Sequence, residues 1–314
     1  MSANVPKLVF TPITRKDMAV AEVRGGHNDE LIIYINMGHC CNKCTKKCYS
    51  AKKKCCNDCL SGLSGGSLGD VRSTGCCAGD DAAVMPPGMS MYEARQFIQE
   101  RQPQILTEFR IHDNGEMYPI PKQGSTEHGF VFGSTGSGKS VFCSKYARQY
   151  QQIYENPIYL ISNIEEDHEV DNIEDLIRIP IDDVMSGKIT PQSIHDSLII
   201  FDDVDAIPDK NISTVIEKLR DQILTTGRHF NISCLVTSHL GANFQHTKVP
   251  INESGFVVVF PKGGNWSQIN RILCTYGGLT RQQEANIKQL PTRWVMYHKS
   301  YPPYILYEKG IYLL

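Results

Sequence analysis

Residues 128–143 read His-Gly-Phe-Val-Phe-Gly-Ser-Thr-Gly-Ser-Gly-Lys-Ser-Val-Phe-Cys. Gly133, Gly138, Lys139 and Ser140 fill the pattern G-x-x-x-x-G-K-[ST]. The apolar run Phe130 to Phe132 predicts a strand before the loop, and Lys139 to about Gln151 predicts a helix after it. That is the context a phosphate-binding loop requires. Glycines let backbone N–H groups turn inward around a phosphate chain, and the helix N-terminus adds partial positive charge. Gly133, Ser134, Thr135, Gly136, Ser137, Gly138, Lys139, Ser140 and Val141 are the expected nucleotide-binding set. Lys139 is expected to reach the β- and γ-phosphates and Ser140 to ligate Mg²⁺, so ATP and Mg²⁺ are the expected ligands.

Turnover also needs acids for the metal and for water. Ser197-Leu-Ile-Ile-Phe-Asp-Asp203 offers both. Four apolar residues predict a buried strand, and its acids emerge at the carboxyl end, where ligands sit in open α/β sheets. Asp202 is expected on Mg²⁺ and Asp203 on the attacking water. The competing reading is a strand that ends in an Asp-rich turn. The loop about 60 residues upstream argues for the catalytic one.

A third element follows. Thr225-Thr-Gly-Arg-His-Phe-Asn231 leads into the apolar run Ile232 to Thr237 and the polar pair Ser238-His239. Ser238 and His239 are candidates to sense a γ-phosphate. A neutral, satisfied histidine is the alternative for His239. Arg228 fits two readings: an arginine finger on a neighbouring subunit's nucleotide, or a cap on the preceding helix. Arg220, Arg271 and Arg281 are weaker finger candidates. Glu165-Glu-Asp167 lies after a strand on the expected nucleotide side and would either orient water or form a solvated loop.

Around this centre, strands are expected at Pro157–Ile164, Ser197–Val204, Asn231–His239, Gly255–Phe260, Arg293–Lys299 and Tyr304–Leu313, with a helix at Asn211–Thr226. Strands alternating with helices predict an α/β domain with a mostly parallel sheet over 126–314. Before it, residues 1–125 form an N-terminal region with short strands at Lys7–Pro12 and Glu30–Asn36. A Cys/Lys-rich segment spans 39–59, and a Gly/Ser/Asp-rich stretch spans 61–88, where few apolar residues predict a flexible loop. Met91–Gln102 has helical character. Phe109–Ile120, centred on Asn114-Gly115, predicts a β-hairpin. Trp266 and Trp294 are expected packing anchors. The turn at 261–265 would either solvate Lys262 or turn it toward DNA phosphate.

Composition bounds the rest. The 314 residues are 41% apolar and carry a net charge of −2, so a full core is available and the chain is no polycation. Any nucleic-acid contact is expected to be local. No cleavable apolar leader and no run of about 18 apolar residues is present, which predicts an intracellular chain without a membrane span. Nine of twelve cysteines fall between Cys40 and Cys77. Cys41-x-x-Cys44 and Cys56-x-x-Cys59 have the bite of a tetrahedral Zn²⁺ site, with eleven residues between the pairs. The alternative is a Cys/Lys insert with no fixed metal.

On GSTGSGKS, LIIFDD and RDQILTTGRHFNISCLVTSHL, residues 126–314 resemble the FtsK–HerA superfamily of DNA-pumping ATPases, and most of all the poxvirus-type genome-packaging ATPases of large DNA viruses. The closing stretch LPTRWVMYHKSYPPYILYEKGIYLL is similar to the tail of such proteins. The resemblance implies a P-loop NTPase with a RecA-like core and a homo-oligomeric ring, often a hexamer. It also implies ATP-driven movement of double-stranded DNA into a capsid, capsid or portal vertex partners, and a place in the host cytoplasm at the viral factory or on the virion. Many members carry Gln at the end of the fourth strand, where this chain has Ser238-His239. Two other functions fit a phosphate-binding loop. One is a P-loop kinase, for which no arginine-rich lid is found after the fourth strand. The other is a nucleotide-binding viral scaffold without motor activity.

Overall fold

The computed structural model describes residues 6–10, 18–36, 108–241, 244–299 and 301–314. Cys41, Cys44, Cys56 and Cys59, the 61–88 stretch and the Met91–Gln102 helix lie outside the described residues. The described residues fall into two compact units: 6–10, 18–20, 31–36, 108–109 and 313 in one, and 21–30, 110–241, 244–299, 301–312 and 314 in the other. In the first, β1 (Lys7–Val9) pairs antiparallel with β3 (Ile32–Asn36). Phe10 and Phe109 meet edge to face at 5.1 Å.

The larger unit holds the second half of β2 (Met18–Arg24) and, beyond β4 (Glu108–Arg110), β5 (Glu116–Pro119). β5 does not fold back as half of a hairpin; its partner is β2, in the register Ala21 to Pro119. The reason lies in the turn. Asp113 accepts hydrogen bonds from the N–H groups of His27 and Gly115, and Lys309 Nζ donates to the Asp113 and Gly115 carbonyls. These ties fix the Asn114-Gly115 turn against other segments, so they override the local hairpin signal.

The main sheet follows the order β11–β6–β10–β9–β7–β8 for β6 (His128–Phe132), β7 (Ile158–Ser162), β8 (Leu176–Arg178), β9 (Ser197–Asp202), β10 (Ile232–Ser238) and β11 (Phe256–Val259). All these pairings are parallel. β9, β10 and β11 are buried at every position. Strands covered on both faces read as near-continuous apolar runs rather than alternating ones. Beyond β11 the sheet turns antiparallel through β12 (Val295–His298), β13 (Tyr304–Tyr307) and β14 (Gly310–Leu313). The expected single strand over Tyr304–Leu313 is thus two, broken by a turn at Glu308-Lys309.

Helices cover the sheet. α1 (Lys139–Tyr154) buries Phe142, Cys143, Tyr146, Ala147 and Tyr150, one face of a 3.6-residue period. Two short helices follow, α2 (His168–Asp171) and α3 (Ile181–Met185). α4 (Lys210–Thr226) starts at Asp209, whose side chain accepts from the N–H groups of Asn211 and Ile212. Such a cap is worth about 1 kcal/mol. α5 (Phe244–Glu253), α6 (Trp266–Asn270) and α7 (Arg281–Gln289) complete the set, α7 opening on a Thr280/Gln283 capping box. Trp294 packs edge to face on Phe142 at 5.1 Å, and Trp266 donates to the Pro261 carbonyl, both as anchors. Cys143 and Cys234 are small buried core residues, and Cys274 is half-buried. Among the described residues no helix is long and apolar enough to cross a membrane.

Register aligns the carboxyl ends of four strands. Ser238 lies beside Phe132, Val236 beside Phe201, and Ser162 beside Asp202. The loops after β6, β7, β9 and β10 therefore open at one edge, where the chemistry collects.

Candidate nucleotide site

The loop 133–138 leaves β6 at that edge. Gly133 has no room for a side chain: a Cβ would stand 2.4 Å from Ser137 Oγ and 2.7 Å from the Phe260 ring. Gly136 (φ 73°) and Gly138 (φ 108°) take left-handed backbone conformations that glycine adopts at no steric cost. Ser134, Thr135 and Gly136 are exposed. Ser134 Oγ donates to the Gly263 carbonyl at 2.9 Å, which ties the loop to the turn after β11. That contact, with Lys262 exposed beside it, sets the turn next to the loop. No side chain caps α1, so its first-turn N–H groups have no intrahelical partner and face the loop mouth. Ser137 Oγ is buried without a hydrogen-bond partner. Val141 lines a narrow groove with Ser137, Gly138, Phe260 and Arg293.

Lys139 is buried, and its ammonium has three neighbours. Nζ donates to the Gly133 carbonyl at 3.0 Å, sits 3.1 Å from His239 Nδ1, and lies 3.4 Å from Asp203 Oδ2. His239 Nε2 in turn lies 2.6 Å from the same Asp203 oxygen. The structure thus makes His239 both satisfied and part of the site. Ser238 turns elsewhere: its hydroxyl donates to Asp205 Oδ2 at 2.5 Å, while its backbone carbonyl accepts from Gly133 N–H. Burial raises the Asp205 carboxyl above its ordinary pKa, against the Ser238 bond.

The two acids of the Asp202-Asp203 pair share one hydroxyl. Thr237 Oγ1 is 2.8 Å from Asp202 Oδ1 and 3.0 Å from Asp203 Oδ1, and it accepts from the Asp203 N–H at 2.8 Å. Asp202 Oδ2 also accepts from Ser162 Oγ at 3.1 Å. Asp203 stands at φ 45°, a left-handed conformation uncommon outside Gly, Asn and Asp. That turn aims its carboxylate at Lys139. Burial raises the Asp202 carboxyl pKa first, and the charge of Asp203 raises it further, with Asp167 acting in the same direction. Cys143, one turn into α1, feels Lys139, Asp167, Asp202 and Asp203 together, and burial raises its thiol well above the usual range.

Ser140 Oγ donates to Asp167 Oδ2 at 2.7 Å. The acid at the end of the 165–167 run is therefore no solvated bystander. Among the described residues no group of three or more His, Cys, Asp or Glu is arranged to hold a metal ion. The oxygen donors Ser140 and Asp202 do suit Mg²⁺, a hard cation that takes one or two carboxylates and fills its other positions with water and phosphate. Asp202 is buried beside the Asp203 carboxylate, where a divalent cation would offset its charge.

Arg228 is exposed on the turn Gly227–Phe230, at the amino end of β10. Seven strand residues, roughly 20 Å, separate it from the site on its own chain. Arg220 is buried, bonded to Asp221 and the His246 carbonyl, and Arg271 and Arg281 are exposed. Sequence reading missed Thr237, Ser162 and the Asp167–Ser140 bond. The signal for Thr237 was available: pairing Leu-Val-Thr-Ser with Ile-Phe-Asp-Asp in a parallel register sets it beside Asp202.

No family model matches the chain. It is 34% identical over 199 residues to the "Uncharacterized protein V3" of Sputnik virophage, covering 62% of this chain and 80% of that protein. Among solved structures it is similar to the genome packaging NTPase B204 from Sulfolobus turreted icosahedral virus 2 in complex with ATPγS. That match has 12% identity and a TM-score of 0.42, over 60% of this chain and 98% of that one. It is also similar to the pCW3 conjugation coupling protein TcpA with ATPγS, at 11% identity and a TM-score of 0.42, over 93% of this chain and 77% of that one.

Proposed function

The chain belongs to the same family as the V3 protein of Sputnik virophage, and from there we propose that it is a Mg²⁺-dependent ATPase that drives double-stranded DNA into a viral capsid. The observation that carries the ATPase reading is the meeting of Lys139, from the glycine-rich loop, with Asp203, from the end of β9, at 3.4 Å. Two residues 64 positions apart converge on one point.

In this mechanism the N–H groups of residues 134–140 wrap the phosphate chain, with the open first turn of α1 behind them. Lys139 exchanges Asp203 and His239 for phosphate oxygens, since an ammonium has three donors and all three face protein acceptors at rest. Ser140 and Asp202 would hold Mg²⁺, which would supply positive charge to offset that of the phosphates. Asp203, released by Lys139, polarises the attacking water. His239 holds the same Asp203 oxygen and reports the exchange.

The motor part of the proposal rests on the likeness of the RDQILTTGRHFNISCLVTSHL run to DNA-pumping ATPases. A ring, with Arg228 acting on a neighbour's nucleotide, belongs to it, as do zinc on Cys41, Cys44, Cys56 and Cys59, and capsid partners. Zinc is checked by elemental analysis; less than about 0.2 equivalents per chain removes it.

The test of the whole reading is ATP hydrolysis with and without long double-stranded DNA, with Lys139→Ala as the blank. Turnover that rises with DNA length and vanishes in the variant is expected. Turnover indifferent to DNA would leave the ATPase and remove the motor. Tight binding without turnover would favour a nucleotide-binding scaffold.

A further inference from the structure

Asp167 divides its carboxylate between two tasks. Oδ1 accepts from the N–H groups of Glu169 and Val170 at 2.9 and 3.5 Å, capping α2. Oδ2 accepts the Ser140 hydroxyl at 2.7 Å. The residue is itself clamped. Its N–H donates to Asp171 Oδ2 at 2.7 Å, and Arg178 holds Asp171 through Nε at 2.8 Å while bonding the Ile164 carbonyl at 2.9 Å. A chain of contacts thus runs from β8 through the 163–171 loop to the first turn of α1.

The bond to Ser140 has a chemical consequence. A serine hydroxyl has one proton and two lone pairs. Giving the proton to Asp167 leaves both lone pairs of Oγ for a cation. If a donor occupied the Asp167 position, Oγ would accept there and surrender a lone pair. A carboxylate 2.7 Å from that hydroxyl also adds negative charge beside the place of the cation.

We propose that Asp167 is the positioning residue of the metal site: it orients the Ser140 hydroxyl toward Mg²⁺ and adds the charge that favours the cation. The inference rests on the reading of Ser140 and Asp202 as Mg²⁺ ligands. Outer-sphere partners of this kind typically change metal affinity by roughly 10–100-fold when removed.

The experiment measures binding of a fluorescent non-hydrolysable ATP analogue to the full chain in excess Mg²⁺ and in EDTA. Asp167→Asn keeps an oxygen for the α2 cap but presents an amide N–H to Ser140. Wild type should bind more tightly with Mg²⁺. The Asn variant should lose most of that gain, by about tenfold or more, with EDTA affinity and melting temperature unchanged. Asp167→Glu, which keeps the charge and the acceptor, should recover part of it. An Mn²⁺ titration followed by electron paramagnetic resonance should show the same ranking without reference to turnover. Full Mg²⁺ dependence in Asp167→Asn overturns the proposal. So does an equal loss of affinity in EDTA, which would mark a purely structural role. Wild type without any Mg²⁺ dependence would instead overturn the parent reading of the metal site.

Discussion

His239 Nε2 lies 2.6 Å from Asp203 Oδ2, and the opposite ring nitrogen lies 3.1 Å from Lys139 Nζ. An ammonium only donates, so Nδ1 accepts and the neutral ring carries its proton on Nε2, which donates to Asp203. The histidine is a bridge between the loop lysine and the acid proposed to act on water, and its tautomer follows from those two partners.

Removing that bridge should affect chemistry more than binding. In His239→Ala, ATP affinity is expected to stay within about threefold while single-turnover hydrolysis falls by roughly 10²-fold, the scale of a lost proton-handling or orienting group. His239→Gln retains a donor for Asp203 and should recover part of the rate. Asp203→Asn should match His239→Ala in binding and be slower still. An unchanged single-turnover rate in Asp203→Asn would remove that carboxylate from its role.

Gly133 tests the loop by packing alone. An alanine there puts a methyl 2.4 Å from Ser137 Oγ and 2.7 Å from Phe260. Overpacking of this kind costs about 1–3 kcal/mol, and the shift of Ser137 distorts the phosphate cradle. Gly133→Ala should therefore melt at a lower temperature and bind ATP at least about tenfold more weakly, read by calorimetry and nucleotide titration. Gly124, with nothing within 4 Å of its Cβ position but φ 70°, provides a control for backbone strain without crowding.

Part of the acid sensitivity should trace to His128. Burial pushes its pKa down to about 4, against an opposing pull from Glu127, and Nδ1 is buried without a hydrogen-bond partner. Between pH 4 and 6.5 the unfolded chain therefore binds a proton at this residue that the folded chain does not. Stability must then rise with pH across that window and fall on acidification. The drop amounts to at most about 3 kcal/mol between pH 7 and pH 4. Urea titrations should show wild type losing stability more steeply than His128→Phe between pH 6.5 and 4, because the variant lacks this proton-linked loss.

A second buried network lies at the start of β6. Glu127 accepts from His298 Nε2 at 2.8 Å, from Tyr146 OH at 3.0 Å and from the Lys122 N–H at 3.3 Å. Burial acts to raise its pKa, but the His298 bond and charge outweigh it, so the net direction is down. His298 is stacked against Tyr304 at 4.6 Å. Truncating one partner of a buried pair strands the other, at about 3–5 kcal/mol. Glu127→Ala should lower the unfolding free energy from urea titration by that much at pH 7. A loss below about 1 kcal/mol would mean that water replaces the carboxylate.

Much of this architecture could be read in the chain itself. The β6, β9, β10 and β11 strands announce themselves as apolar runs, and the glycine pattern locates the loop, because both signals are local. Side-chain convergence is not local. Thr237 and Ser162 reach Asp202 only because β7, β9 and β10 are adjacent in one register, and strand order is not written in any single segment. Asp167 was visible as an acid after a strand, but its bond to Ser140 depends on the clamp through Asp171 and Arg178. Short elements such as β8 and α2 carry too few residues for a periodic pattern. At Asn114-Gly115 the local hairpin signal was present and was overruled by Asp113 and Lys309.

Asp203 stands 3.4 Å from Lys139, so the charge of the loop lysine is already answered by a carboxylate of its own chain. Any phosphate that reaches this ammonium must displace that carboxylate. The loop thus carries its own competitor for the ligand it is proposed to bind.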